Sequence, residues 1–315
     1  MRALSLSRRS LMIAPAPLNP GDTAALVAPA SPLTKDEISF AEESLKKLGL
    51  IPKTFAEAVP PSSAYLSAPD SLRAASLTEA FLDPAVKAVF CLRGGYGCSR
   101  LLPLLDPEVF RRNPKLFWGY SDITALHQFF NHTCNLITVH GPMPAKPSFL
   151  AAPGLISLLF EETLSRPGSF TDCGKPSLSF GDPFFLSEEH ADARGKLTGG
   201  NLSVLCGLLG SPWEPDTAGR ILFLEDVDEP PEKIDRNLTA LRLAGKLQHC
   251  SALILGAFAG CFPSREQELS FFREHFADAP YPVLFGFPAG HIGCNHPLPM
   301  GAMVHLSRRP LLTTF

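Results

Sequence analysis

A chain of 315 residues, 45% of them apolar, can fold as one large domain or two ordinary ones with a full core. Its 28 basic and 31 acidic residues give a net charge of −3 with no run of Lys or Arg, which excludes nucleic-acid binding by charge. No apolar run approaches the length of a membrane span.

Eight cysteines (91, 98, 134, 173, 206, 250, 261 and 294) include no C-x-x-C pair, and several sit inside apolar runs. They read as small buried hydrophobes in a reducing compartment. At the N-terminus, Ser7-Arg8-Arg9-Ser10-Leu11-Met12 looks like a twin-arginine export signal. The apolar stretch behind it is short and is broken by Pro15, Pro17 and Pro20. Residues 1–18 are therefore expected to be a disordered leader, and the protein cytoplasmic.

Thr23 to Ala28 reads as a short buried strand leading into the loop Ala28-Pro29-Ala30-Ser31-Pro32. Thr34 and Glu37 form a capping box that starts a helix with Ile38, Ala41, Leu45 and Leu48 on one face, stopped by Gly49. A second helix, Ser71 to Leu82, is expected to turn Leu72, Ala75 and Phe81 inward. Val86 to Leu92 is then a nearly continuous apolar strand. Strands apolar on both faces, separated by helices, predict a parallel sheet covered by helices.

That strand ends in Arg93-Gly94-Gly95-Tyr96-Gly97. Three glycines in four positions imply close backbone approach or positive φ. The loop is either an anion nest at a sheet's C-terminal edge or a plain tight turn. Neither a phosphate-loop lysine nor dinucleotide spacing accompanies it.

The chain is organised around Phe117-Trp118-Gly119-Tyr120-Ser121-Asp122. A buried strand ends there, Gly119 allows a bend, and helical periodicity follows in Ile123, Leu126, Phe129 and Phe130. Strand, turn, serine and helix is the order of a nucleophile elbow, although Ile123 stands where G-x-S-x-G would place glycine. The competing reading makes Ser121 or Asp122 a helix cap. Leu136 to Val139 is the next strand, ending in His140-Gly141-Pro142; His140 is either a catalytic group or, as is more usual for a histidine beside Gly-Pro, a satisfied structural one.

Residues 143–190 are dense in proline, serine and glycine and read as a crossover, with one short helix near Leu155 to Leu164. Gly199-Gly200-Asn201 precedes a helix carrying Leu202, Leu205, Leu208 and Leu209. Ile221 to Leu224 is a buried strand running into Glu225-Asp226-Val227-Asp228-Glu229, which is a solvated turn or a hard-metal site. Glu225 alone directly continues the strand. A helix with Ile234, Leu238, Leu241 and Leu247 follows, then strands Ala252–Ala259 and Val283–Phe287. The last strand closes in Pro288-Ala289-Gly290-His291, where two glycines flank the histidine in a loop.

Arg93-Gly94-Gly95-Tyr96-Gly97, Gly119-Tyr120-Ser121-Asp122, Leu224-Glu225-Asp226 and Gly290-His291 together resemble the LD-carboxypeptidases, a family of serine peptidases. The resemblance runs from about Asn19 to near the C-terminus and includes Val27 to Ser31, His140-Gly141-Pro142 and Gly199 to Leu202. It implies a two-domain α/β fold: a parallel-sheet nucleophile domain (19–145), a linker (146–190) and a mixed α/β domain (191–315), with the site between them. It implies Ser121 as nucleophile, His291 as base and Glu225 as orienting acid. The oxyanion hole would come from Asp122 and the Gly94-Gly95 loop, and substrate contacts from Arg93, Tyr96 and Asn201. No metal or cofactor is implied, and a homodimer is. The implied substrate is murein tetrapeptide, cleaved before its terminal D-Ala in peptidoglycan recycling. A smaller branch, the microcin-C immunity proteins, cleaves acyl-sulfamoyl adenylates. Two rival classes remain at this point, an α/β-hydrolase esterase and a non-catalytic sugar- or peptide-binding module.

Overall fold

Buried strands alternate with helices through the first half of the chain, and the hydrogen-bonding pattern makes one sheet of them. The computed structural model describes residues 12–55, 65–164, 168–169, 182–187, 192–307 and 312–314. The arginine pair of the leader and residues 165–167, 170–181 and 188–190 of the expected crossover lie outside them.

The first half contains β1 (Thr23–Val27), α1 (Lys35–Lys47), β2 (Ile51–Thr54), α2 (Asp70–Leu82), β3 (Val86–Cys91), α3 (Pro107–Arg112), β4 (Leu116–Gly119), α4 (Thr124–Gln128) and β5 (Thr138–His140). The five strands are parallel, in the order β5-β4-β3-β1-β2. The capping box at Thr34 and Glu37 has both its bonds, and Lys46 and Lys47 complement the dipole in the last turn of α1.

Two features differ from the sequence reading. β2 has no apolar alternation to announce it, because it is an exposed edge strand in which Pro52 is tolerated. α2 buries Arg73, Ala74, Leu77, Ala80 and Phe81, while Leu72 and Ala75 face outward. Arg73 turns inward because its guanidinium finds the carbonyls of Pro29, Ala68 and Gly97.

The second half contains α5 (Leu155–Phe160), β6 (Gly168–Ser169), β7 (Phe184–Phe185), β8 (Ala193–Asn201), α6 (Leu202–Cys206), β9 (Ile221–Val227), α7 (Pro231–Leu243), β10 (Ala252–Ala259), α8 (Arg265–His275), β11 (Val283–Phe285), β12 (Leu298–Met300), β13 (Met303–Leu306) and β14 (Leu312–Thr314). Its sheet runs β6-β14-β13-β8-β9-β10-β11-β7. Four central strands are parallel, and antiparallel strands extend both edges.

The halves are not separate along the chain. β12 returns to the first sheet and pairs antiparallel with β5, Leu298 opposite His140. Residues 12–18, expected to be leader, are docked: Ile13 bridges to Leu136 and Leu18 is buried. One apolar cluster extends from Ala24 and Leu26 through Trp118, Val139 and Leu158 to Ile221, Phe223 and Ile254. Groups from the two halves therefore meet across a packed core. Among the described residues no helix is long and apolar enough to cross a membrane.

Candidate active site

The sheet order reverses between β1 and β3, and ligands of open α/β sheets bind outside the strand ends at such a point. The loop after β1 supplies Ser31, whose N–H donates to Gly94 O and whose Oγ accepts from Tyr96 N. The glycine loop after β3 is thereby tied to its neighbour. From the other side, buried Asp122 accepts from Cys98 N at 2.8 Å, and Arg73 holds Gly97 O. Burial, partly offset by the bonds from Cys98, raises the pKa of Asp122.

β4 delivers the serine. Tyr120 is still extended, and Ser121 then adopts φ +67°, the left-handed region. For a non-glycine residue this costs about 1–3 kcal/mol and persists only when the surroundings hold it there. Gly94 is part of that hold: a Cβ on it would stand 2.8 Å from Ser121 Cβ. The Ser121 side chain caps no helix. Its Oγ lies 2.9 Å from His291 Nε2.

His291 comes from the loop after β11. Gly290 N donates to Asn295 Oδ1 at 2.9 Å and His296 N to Pro288 O, which fold the loop back on itself. The Nδ1 of His291 lies 2.7 Å from Oε2 of Glu225, fully buried on β9. An ionised carboxylate only accepts, so Nδ1 carries the proton and Nε2 is left to accept from Ser121. Burial disfavours the Glu225 charge, but His291 and His140 more than compensate, and its pKa falls to about 2. Burial likewise opposes the imidazolium of His291. The charge of Glu225 outweighs it, with Asp226 and Asp228 adding to the effect, and its pKa is raised above 6.5.

Neighbouring strand residues face opposite ways, so only one of Glu225 and Asp226 meets the histidine. Asp226 instead accepts from Asn201 Nδ2, Ser203 N and Ser203 Oγ. A cleft of about 370 Å³ opens beside Ser121, lined among others by Gly95, Tyr96, Asp122, Asn201, Asp226 and Glu229.

Residues 24–141 match the LD-carboxypeptidase N-terminal domain, and residues 194–306 match the LD-carboxypeptidase C-terminal domain. The chain belongs to the LD-carboxypeptidase family. A probable murein peptide carboxypeptidase of Bacillus subtilis is 38% identical over 93% of this chain and 91% of its own length. The murein tetrapeptide carboxypeptidase of Pseudomonas aeruginosa is 33% identical over 88% and 90%. The structure of MccF in complex with glutamyl sulfamoyl guanosine superposes with a TM-score of 0.83 at 26% identity, covering 97% of this chain and 98% of that one. The chain shares with these LD-carboxypeptidase relatives a two-sheet α/β fold.

The structure brings Ser121, His291 and Glu225 together, and sets Gly94, Gly95 and Asp122 around the serine. Tyr96 and Asn201 line the cleft, but Asn201 is already engaged: Oδ1 caps α6 at Val204 N and Nδ2 holds Asp226. Arg93 is absent from the cleft lining. It is half exposed and bonds Pro32 O, with Glu37 3.8 Å away. The sequence reading missed three supports. Tyr120 packs its ring on His291 with centroids 4.8 Å apart, Asn295 holds the histidine loop, and His140 approaches Glu225. Only adjacency to the motifs could have pointed to the first two.

Proposed function

We propose that this chain is a serine LD-carboxypeptidase that removes the terminal D-Ala from murein tetrapeptide during cytoplasmic peptidoglycan recycling, working as a homodimer without metal or cofactor. The observation that carries the reading is the continuous Ser121–His291–Glu225 contact, 2.9 Å and 2.7 Å, built from both halves of the chain.

In this reading Ser121 Oγ attacks the carbonyl of the residue before D-Ala while His291 Nε2 takes its proton. Glu225 keeps Nδ1 protonated and stabilises the imidazolium. The oxyanion rests on the backbone N–H of Asp122 and one from the Gly94-Gly95 loop. His291 returns the proton to the leaving amine, and water then hydrolyses the acyl-enzyme by the reverse path. The cleft carries a lightly engaged carboxylate, Glu229, reached among the described residues by Ser203 Oγ at 3.4 Å. That suits an acyl residue with a free ammonium, as in diaminopimelate.

The likeness to MccF favours one second reading, cleavage of acyl-sulfamoyl adenylates. An α/β-hydrolase esterase needs one continuous sheet, and two are present. Mass spectrometry after incubation with each substrate decides. Loss of D-Ala from tetrapeptide, with the C-terminal amide and L-Ala epimer inert, supports the main reading. Cleavage of the adenylate alone moves the protein to the immunity branch.

A further inference from the structure

His140 is a buried titratable residue that the mechanism above leaves unused. It ends β5, is wholly buried, and neither of its ring nitrogens makes a hydrogen bond among the described residues. Its Nε2 lies 3.9 Å from Oε1 of Glu225. That oxygen is likewise without a partner, while Oε2 of the same carboxylate holds His291.

Two unpaired polar groups buried face to face are unstable neighbours, since each loses its water without replacement. The gap is longer than a hydrogen bond. It is also too short for an intervening water, whose two bonds of about 2.8 Å each would have to fold sharply to fit. A shift of about 1 Å makes the direct bond. Around the imidazole stand Phe223, Tyr120 and His127, with ring centroids 5.2, 5.9 and 6.1 Å away. His127 is committed to Thr138 Oγ1 and Gly119 O. Glu225 on β9 is the acidic group that faces His140, with His291 beyond it.

We propose that His140 is a positioning residue for the Ser121 reaction: its Nε2–H donates to Oε1 of Glu225 and thereby keeps Oε2 on Nδ1 of His291. The proposal rests on the Ser121–His291–Glu225 reading given above. Its physical basis is torsional. A carboxylate held at one oxygen turns about its last bond, which for Glu is broad and soft, whereas one held at both oxygens does not. The two imidazoles also come from opposite directions, one on the first sheet and one on the second half's loop, so Glu225 is gripped between the halves. Both neighbours favour its ionised form against burial.

The test measures the rate at which a fluorophosphonate labels Ser121, as a function of pH, so that it does not depend on knowing the peptide substrate. Four proteins are compared: wild type, His140→Gln, His140→Asn and His140→Leu. The Gln amide nitrogen reaches the Nε2 position, whereas the Asn amide stops at the Nδ1 position. Gln is therefore expected to label within about threefold of wild type, with its acid limb unmoved. Asn and Leu should slow labelling roughly 10- to 100-fold, the range for removing an outer partner of an active-site ligand. Their acid limb should also move to higher pH. A Glu225 that no longer shares its charge with His140 concentrates that charge on His291, which keeps the imidazolium protonated to higher pH and withholds the base.

Equal behaviour of Gln and Asn would overturn the proposal. So would a limb that stays put in all three variants while rate and melting temperature fall together, which is the mark of a merely structural histidine. If His140→Leu does not fold, the Gln–Asn pair decides alone. Failure of the wild type to label at Ser121 would instead overturn the nucleophile reading, and this proposal with it.

Discussion

The serine and the histidine are held in different ways. Ser121 is fixed by backbone and sterics: a left-handed φ, Gly94 packed on its Cβ, and a glycine loop clamped by Arg73, Asp122 and Ser31. His291 is fixed by polar contacts: Glu225 at one nitrogen, Ser121 at the other, and Asn295 on the loop backbone. Its loop has no regular structure between β11 and β12. The first arrangement resists small electrostatic changes and fails under added volume. The second fails when charge is removed. A reaction that moves a proton between the two needs a rigid nucleophile and a base that can accept and return charge, and the division supplies both.

Removing the rigid side's reacting atom should have the largest effect. Ser121→Ala is expected to fold normally, since it fills no new volume, and to lose activity on the order of a million-fold. Hydrolysis of tetrapeptide above a few per cent of the wild-type rate would show that another group attacks.

On the polar side, Glu225→Gln should lower kcat roughly ten-thousand-fold, because an amide cannot stabilise the imidazolium and permits the wrong tautomer. The pH profile gives this prediction its sign. His291 must be unprotonated to act as base, so the rate rises with pH through its pKa. Glu225 raises that pKa above 6.5, so the wild-type acid limb should lie above 6.5. Gln carries no charge, so the limb should move down in the variant even as the plateau falls. Asp226→Asn faces away from His291 and should leave the limb almost in place. A larger loss there than at Glu225 would mean that the wrong acid is assigned.

Gly94→Ala tests the steric side without removing a charge, although the added methyl also stands 3.0 Å from Ser121 Oγ. Its φ is unremarkable, so the whole effect is the added methyl, 2.8 Å from Ser121 Cβ. One side must move, and a displacement near 1 Å at the reacting atom costs about 100-fold. The acid limb should stay where it is, which separates this defect from a loss of charge. Gly290→Ala crowds Glu225 Oε2 instead, at the same 2.8 Å, and should shift the limb as well.

This division also explains what the sequence made legible. Gly94, Gly95, Ser121 and Asp122 stood out because backbone strain and close approach leave few residue choices, and glycine at a bend is visible locally. Glu225 stood out as the acid that continues an apolar strand. The partners that act across the fold left no such trace. Arg73 sits in a helix whose spacing suggested a different buried face, and its partners lie on three separate loops. His140 looked like a satisfied strand-end histidine because its approach to Glu225 depends on two sheets meeting. β12 was invisible as part of the first sheet because pairing across more than 150 residues follows from topology, not local pattern. For Asn201, the helix-start position predicts a cap, and capping is what its Oδ1 does.

The smallest effect should come from the outermost support of the polar side. Asn295 is buried, its Oδ1 accepts from Gly290 N, and its Nδ2 has no hydrogen-bond partner among the described residues. Asn295→Ala removes one bond worth about 1 kcal/mol and leaves the Gly290 N–H unpaired. It also removes an unpaired buried amide donor, a gain of the same order. The two changes nearly cancel in stability, so the melting temperature should fall by only a few degrees. Activity should fall more than stability does, because the lost bond is the one that folds the loop at His291, while Glu225 still draws the imidazole into place. A severalfold loss in kcat with an unmoved acid limb is the expected result. A collapse comparable to Glu225→Gln would mean that the loop, and not the carboxylate, sets the histidine, and the contrast between a sterically held serine and a charge-held base would have to be abandoned.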